Sequence, residues 1–330
     1  MILITGGAGY IGSQTVLELM RAGKEVLVYD NLQKGHGEAC TRIGAPLVTG
    51  DIRDTEKLAE LFKKHDIEAV IHFAAASLVG ESMANPIQYY DNNVYGTSCL
   101  VREMIKAGVL GLVFSSTAAV YGEPEKTPIL EEDKKNPSNP YGQTKLDIEQ
   151  MLSWAHEAHG LSFVTLRYFN AAGADQEVNI GEDHRPETHL IPIILQTALG
   201  KRPYIQIYGE DYPTPDGTCI RDYIHVTDLA LAHIMSLEKL KRGQCATYNL
   251  GNGLGFSVRE VIKAAEKVTG RSIAVIQGEK RAGDPAVLLA SPTKIESELG
   301  WEPRYTAIES IIETAWRWHL NNPDGYVTID

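Results

Sequence analysis

Ile2-Leu3-Ile4-Thr5-Gly6-Gly7-Ala8-Gly9-Tyr10-Ile11-Gly12 is the stretch from which the fold follows. Ile2-Leu3-Ile4 reads as a short, wholly apolar strand, and the glycines come at once. Ile11, Val16, Leu17, Leu19 and Met20 then recur with helical spacing. Strand, glycine turn and helix together are the context in which such glycines signal a dinucleotide site. The glycines let the backbone approach a pyrophosphate, whose charge rests on free N–H groups at the helix N-terminus. A second strand, Glu25-Val26-Leu27-Val28-Tyr29, ends in Asp30. That acid lies ~20 residues beyond the glycines, where a carboxylate accepts ribose hydroxyls. It also repels a 2′-phosphate, so NAD is expected over NADP.

The alternation continues outward from there. Pro46-Leu47-Val48-Thr49 reads as a strand ending at Gly50-Asp51-Ile52, and Thr55 to His65 as a helix. Ala69-Val70-Ile71-His72-Phe73 is the next strand, opening into Ala74-Ala75-Ala76, small residues that allow close approach of a cofactor. A long helix is expected from about Pro86 to Ala107, with Asn92 and Asn93 toward the nicotinamide side. Leu112-Val113-Phe114 follows as a strand with the hydroxyls of Ser115-Ser116-Thr117 at its carboxyl end, and Leu161 to Leu166 as another. The expectation is an α/β fold, a doubly wound parallel (Rossmann) sheet over residues 1–170. Beyond Asn170 the regular alternation stops. A smaller α/β lobe is expected over 171–330, with segments of about 221–250 returning to the first. Arg221 to Val226 reads there as one strand-like run.

Asn139-Pro140-Tyr141-Gly142-Gln143-Thr144-Lys145 opens a helix, since Pro suits a first turn and apolar residues recur beyond it. Tyr141 and Lys145, four apart, share one face. A phenol beside an ammonium is biased toward phenolate, which makes Tyr141 a candidate base near neutral pH. The spacing becomes specific because a dinucleotide site precedes it.

Composition excludes several classes. Of 330 residues, 43% are hydrophobic and 22% charged, as in globular proteins able to bury a large core. A formal charge of −12 argues against nucleic acid or an anionic membrane as partner. The four cysteines (40, 99, 219 and 245) are scattered without Cys-x-x-Cys and read as buried apolar residues. The histidines read as dispersed without ligand spacing, so no metal is expected. No apolar run reaches membrane-spanning length, and the chain opens directly on a strand, from which a cytoplasmic address is expected.

The glycine turn, Asp30, Ser115-Ser116-Thr117 and Tyr141-x-x-x-Lys145 together resemble the extended short-chain dehydrogenase/reductase family. His72-Phe73-Ala74-Ala75, Val79-Gly80-Glu81-Ser82, Tyr90-Asp91-Asn92-Asn93-Val94, Leu166-Arg167-Tyr168-Phe169-Asn170, Arg221 to Val226 and Tyr248-Asn249-Leu250-Gly251 narrow the resemblance to its UDP-glucose 4-epimerases, over nearly the whole chain. The resemblance implies interconversion of UDP-glucose and UDP-galactose with tightly held NAD. It implies Tyr141 as base, Lys145 on the NAD ribose and Thr117 on the sugar 4-hydroxyl. Around NAD it implies Gly6, Gly9, Tyr10, Ile11, Gly12, Asp30, Asn31, Asp51, Ile52, Phe73, Ala74, Ala75, Asn92, Ser115 and Tyr168. Around the UDP-sugar it implies Asn170, Leu190, Gln206, Tyr208, Arg221, Arg281, Asp284 and Val287, and it implies a homodimer through two long helices of the first lobe. Three positions depart from the family pattern: Thr117 stands where many members have Ser, Ser77 where many have a Lys, and Val287 where some have a large aromatic. The last implies room for a 2-acetamido group. A nucleotide-sugar 4,6-dehydratase would need an acid pair where Ala118-Ala119 stand. A non-catalytic NAD-binding regulator would be expected to lack Tyr141 or Lys145.

Overall fold

The computed structural model describes residues 1–240, 243–281 and 284–326. Its centre is a parallel sheet of seven strands: β1 (Ile2–Thr5), β2 (Val26–Asp30), β3 (Leu47–Thr49), β4 (Ala69–His72), β5 (Gly111–Thr117), β6 (Ser162–Tyr168) and, far along the chain, β11 (Cys245–Leu250). The spatial order is β11-β6-β5-β4-β1-β2-β3, so the winding direction reverses between β1 and β4. A crevice at the carboxyl ends of those two strands is where such sheets take their ligands.

Both faces of the sheet are buried, which is why its strands are continuous apolar runs. Ile2 and Ile4 of β1 point to a core shared with Val16 and Leu19 of α1 (Tyr10–Arg21) and Leu229 and Ala232 of α9 (Val226–Lys239). Leu3 points the opposite way, to Leu58 of α3 (Thr55–Lys64), Leu100 of α6 (Gly96–Ala107) and Leu152 of α7 (Pro140–His159). Each such fully buried side chain contributes ~1.5–3 kcal/mol. The alternation of period two in the strand thus places helices on both sides.

The long helix expected from about Pro86 to Ala107 is present as α5 (Pro86–Tyr89), a π-helical turn (Tyr90–Tyr95) and α6, continuous in backbone conformation. A separate short helix, α4 (Val79–Ala84), precedes it. The expected run over Arg221 to Val226 divides. β9 (Ile220–Arg221) sits between β12 (Phe256–Ser257) and β14 (Val287–Leu288), whereas β10 (Tyr223–His225) pairs with β7 (Asn170–Ala172). The break is Asp222. Its buried carboxylate accepts N–H groups from Asn252 (2.8 Å), Gly253 (3.1 Å) and Ala290 (3.0 Å), pinning two loops to the corner. The remaining elements form a second core. Here α8 (Leu190–Ala198), α10 (Val258–Thr269) and α12 (Ile308–Asn321) pack Ile194, Val261 and Ile311 against β8 (Ile205–Tyr208), which pairs with β13 (Val275–Gly278). Cys40, Cys99 and Cys219 are buried as expected, but Cys245 is exposed, because it opens β11 at the edge of the sheet. Among the described residues no helix is long and apolar enough to cross a membrane.

Candidate active site

The turn after β1 is shaped by contacts that only glycine permits. Gly6 adopts φ +75°, and a Cβ there would lie 2.4 Å from the backbone nitrogen of Ala74 at the end of β4. A Cβ on Gly12 would lie 2.2 Å from the Gly6 carbonyl oxygen, so α1 starts hard against the turn. α1 has no side-chain cap at Gly9 and no acid in its first turn, leaving its N-terminal N–H groups to an anion. The Tyr10 phenol turns away and donates to the Gly173 carbonyl (2.6 Å), so what Tyr10 offers this cradle is its backbone N–H. Ile11 packs partly buried beneath it.

Asp30 closes the other side. Its carboxylate oxygens each accept one backbone N–H, from Ala8 (3.0 Å) and Leu32 (2.8 Å), which aims the group and leaves further lone pairs on each oxygen. Burial pushes its pKa up, against those two bonds. Next to it, Asn31 donates to Asp51 (3.0 Å), and the Arg53 guanidinium holds the Asp51 carboxyl well below the usual range. Ile52 is buried beside Gly96. Phe73 and Ala74 donate backbone N–H groups to Thr5, and Ala75 continues the turn partly buried. These residues fit a dinucleotide: a cradle without side chains, a positive helix end and a fixed acid.

The Tyr141 helix approaches from the far side of β5. Asn139 caps α7 by accepting the Gly142 N–H (2.9 Å), with Pro140 in the first turn. A Cβ on Gly142 would lie 2.5 Å from the Ala119 carbonyl oxygen, so glycine lets α7 close onto the turn that follows Thr117. Burial raises the Tyr141 pKa, and the Thr117 hydroxyl opposes it by donating to the phenolate. Lys145, 2% exposed, donates to the Ser115 carbonyl oxygen (2.7 Å) and stands 4.9 Å over the Phe114 ring. Burial brings its pKa down to about 7, with Glu149 resisting. Burial is the largest influence on both groups, and at Tyr141 the Thr117 hydroxyl opposes it. Ser115 Oγ and the Tyr168 phenol hydrogen-bond to one another behind Lys145.

Of the two asparagines in the π turn, Asn93 is the buried anchor. It accepts the Ala76 N–H (2.8 Å) and donates to the Ala76 carbonyl (3.0 Å) and Thr144 (3.2 Å). Asn92 donates to Asn93 (2.9 Å) and stays half-buried. Ser77 is exposed.

The second lobe supplies the remaining candidates. Arg221 forms an ion pair with Asp284, and the Arg281 guanidinium lies 3.8 Å over the Tyr208 ring. Ala282 and Gly283, between these loop residues, lie outside the described residues. Gln206 lies in the same strand as Tyr208, its amide across Gly278. Val287 pairs in register with Ile220, one residue before Arg221. Asn170 donates its amide to the Asp222 carbonyl (2.8 Å), and Leu190 begins α8.

A family model described as the NAD dependent epimerase/dehydratase family matches residues 2–251. The chain belongs to that family. It is 56% identical over 328 residues to the UDP-glucose 4-epimerase of Halalkalibacterium halodurans, covering 99% of this chain and 98% of that one. A crystal structure named UDP-glucose 4-epimerase superposes with a TM-score of 0.96 at 54% identity, covering 99% of both chains. The UDP-glucose 4-epimerase of Bifidobacterium longum, solved in complex with NAD+ and UDP, superposes with a TM-score of 0.94 at 41% identity over 98% of this chain and 99% of that one.

Three positioning residues of this epimerase/dehydratase chain escaped the reading of its sequence. Gly142 lies inside the quoted Asn139–Lys145 stretch, and its need for glycine depends on a contact with Ala119. Asp222 sits inside an apparent strand, where a lone acid was the available signal. Asn93 was read with Asn92 as a cofactor-facing pair, but its partners are protein. The histidines also gather more than their spacing suggested: His184 and His189 lie together with Glu182 and Glu187. The pattern Glu-x-His-x-x-Glu-x-His was the signal there.

Proposed function

We propose that the chain interconverts UDP-glucose and UDP-galactose by oxidation at C4, rotation of the 4-keto sugar and re-reduction on its other face. The observation that carries this reading is the convergence of Thr117, Tyr141 and Lys145 at the carboxyl edge of the sheet. They stand beside the glycine cradle and within the lobe arrangement of the epimerases it superposes on. NAD, when bound, supplies the redox chemistry at C4. Tyr141 takes the proton of the 4-hydroxyl and returns it, and Thr117 bonds that hydroxyl. Lys145, charged, holds the nicotinamide ribose and favours the phenolate. Asp30, with Asn31, Asp51 and Ile52 flanking it, receives the adenosine end.

Arg221, with Asp284 fixing its fork, and Arg281 neutralise the diphosphate; Arg suits such bidentate capture. Gln206, Tyr208, Asn170 and Leu190 receive the uridine. Residues 1–170 with the returning segments thus hold NAD, and the rest of 171–330 holds the nucleotide sugar. A homodimer belongs to the same reading. Ile87 (79% exposed) and Trp154 (61%) are large apolar residues left in solvent on α5 and α7, where a second copy would cover them. The proposed address is cytoplasmic.

The test is conversion of UDP-galactose by purified protein without added cofactor, with near-ultraviolet absorbance of reduced nicotinamide followed in parallel. Conversion is expected; its absence even with NAD supplied would overturn the reading. Val287 supports a broader substrate range, because forcing bulk into a packed site costs ~1–3 kcal/mol and valine avoids that. Wild type should epimerise UDP-N-acetylglucosamine, and Val287→Tyr should lose that activity while keeping UDP-galactose. Steady-state kinetics on both sugars decide it, and an inactive wild type on the acetamido sugar ends the idea.

A further inference from the structure

The loop between β7 and α8 gathers four ligand-type side chains that the proposed reaction leaves unused. Glu182, His184, Glu187 and His189 each present one ligand atom, and all four atoms lie within 4.8 Å of one another. His184 Nδ1 is 3.0 Å from Glu182 Oε1 and 3.9 Å from Glu187 Oε2. His189 Nδ1 is 3.7 Å from Glu187 Oε1 and touches Glu182 Oε1. Ligand atoms ~2.0–2.1 Å from a tetrahedral zinc stand ~3.3 Å apart, a value these separations bracket.

An ion pair accounts for the contact between Glu182 and His189, whose side chain is 50% exposed, but not for the other groups here. His184 Nδ1 is buried, and despite its nearness to Glu182 it has no hydrogen-bond partner. Two carboxylates, with side chains only 5% and 3% exposed, face the same centre. Glu187 Oε1 also accepts the backbone N–H groups of Thr188 (2.7 Å) and His189 (2.8 Å), bonds that orient it as outer partners orient a metal ligand.

We propose that Glu182, His184, Glu187 and His189 form a structural site for a divalent transition metal of the zinc type. Two imidazoles with two carboxylates suit that class, whereas Mg²⁺ and Ca²⁺ take oxygen-only shells. Four protein ligands close the coordination sphere, so the ion braces and does not react. The elements it braces matter. Tyr10, first residue of α1 after the glycine turn, meets the His184 ring edge-on at 6.4 Å, and Leu190 opens α8 immediately after His189. The ion ties the dinucleotide turn to the start of a helix in the second lobe.

The test uses untagged, full-length protein, stripped with a chelator and titrated with Zn²⁺ and, as a spectroscopic probe, with Co²⁺. One equivalent per chain should bind, Co²⁺ should show the intense visible bands of a four-coordinate ion, and Zn²⁺ should raise the melting temperature. His184→Ala and Glu187→Gln, each removing a direct ligand, should weaken binding by ~100-fold or more, beyond the ~10–100-fold typical of losing an outer partner, and abolish the thermal shift. Glu187→Gln retains an oxygen for the two backbone N–H groups, so it reports even where His184→Ala does not fold. Absence of stoichiometric binding at tens of micromolar, a six-coordinate Co²⁺ spectrum, or undiminished binding in Glu187→Gln would each overturn the site and leave an ion-pair cluster.

Discussion

The candidate active site has two halves built in opposite ways. The first-lobe half comes from short continuous stretches: Gly6 to Gly12 supplies the cradle, and one turn of α7 carries both Tyr141 and Lys145. The second-lobe half is assembled from fragments: Arg221 on a two-residue strand, Asp284 in a distant loop, Val287 on another two-residue strand, and Tyr208 beneath Arg281. A reacting bond needs groups held to tenths of an ångström, which rigid helices and strand ends provide. A diphosphate needs charge and an adaptable fit, which loops can give. The first half should therefore govern kcat and the second KM.

The largest expected effect breaks the first half. Tyr141→Phe keeps the packed ring and removes the base, so turnover should fall ~10²–10⁴-fold with NAD still bound. Single-turnover absorbance with UDP-galactose checks this, and near-wild-type turnover would remove Tyr141 from the chemistry.

Arg221→Met probes the second half. Losing a charge-assisted bond of ~1.5–3 kcal/mol should raise KM for the UDP-sugar roughly 10–100-fold while kcat changes little. A fall confined to kcat would contradict the division between the halves.

Lys145 sharpens the comparison, because it connects stability to catalysis. Its folded pKa of about 7 lies below the ordinary 10.5, so the unfolded chain binds the extra proton between those values. The cost of burying the charged form is full below about pH 7 and fades as pH rises toward 10.5. Lys145→Met should therefore stabilise the cofactor-free protein by on the order of 1–4 kcal/mol at pH 6, less at pH 9, while losing turnover. Urea titrations at the two pH values measure this; an equal gain at both would show that the lysine is not the titrating group.

The smallest effect belongs to Thr117. Thr117→Ser keeps the hydroxyl that opposes the rise in the Tyr141 pKa and should retain activity within about threefold. Thr117→Val preserves shape but leaves a polar partner unpaired, at ~1–3 kcal/mol in kcat/KM. Equal losses in both variants would make shape the requirement.

What the sequence alone determined is whatever rests on near neighbours along the chain. The glycine turn, Asp30 at the end of the second strand and the Tyr141–Lys145 face are all set within a turn or a strand. There, backbone sterics and apolar period decide the outcome. The doubly wound sheet followed from summing those local signals. Tertiary structure alone decided the rest. Asp222 splits an apparent strand because loops near 252 and 290 bring it their N–H groups, and Asn93 becomes an anchor because β4 ends beside it. Cys245 is exposed because its strand lands at the sheet's edge, and burial holds the Tyr141 pKa up and the Lys145 pKa down. Each of these depends on contacts between residues far apart in sequence, whose pairing no local period encodes, and on a low-dielectric surrounding that exists only once the chain has closed around the group.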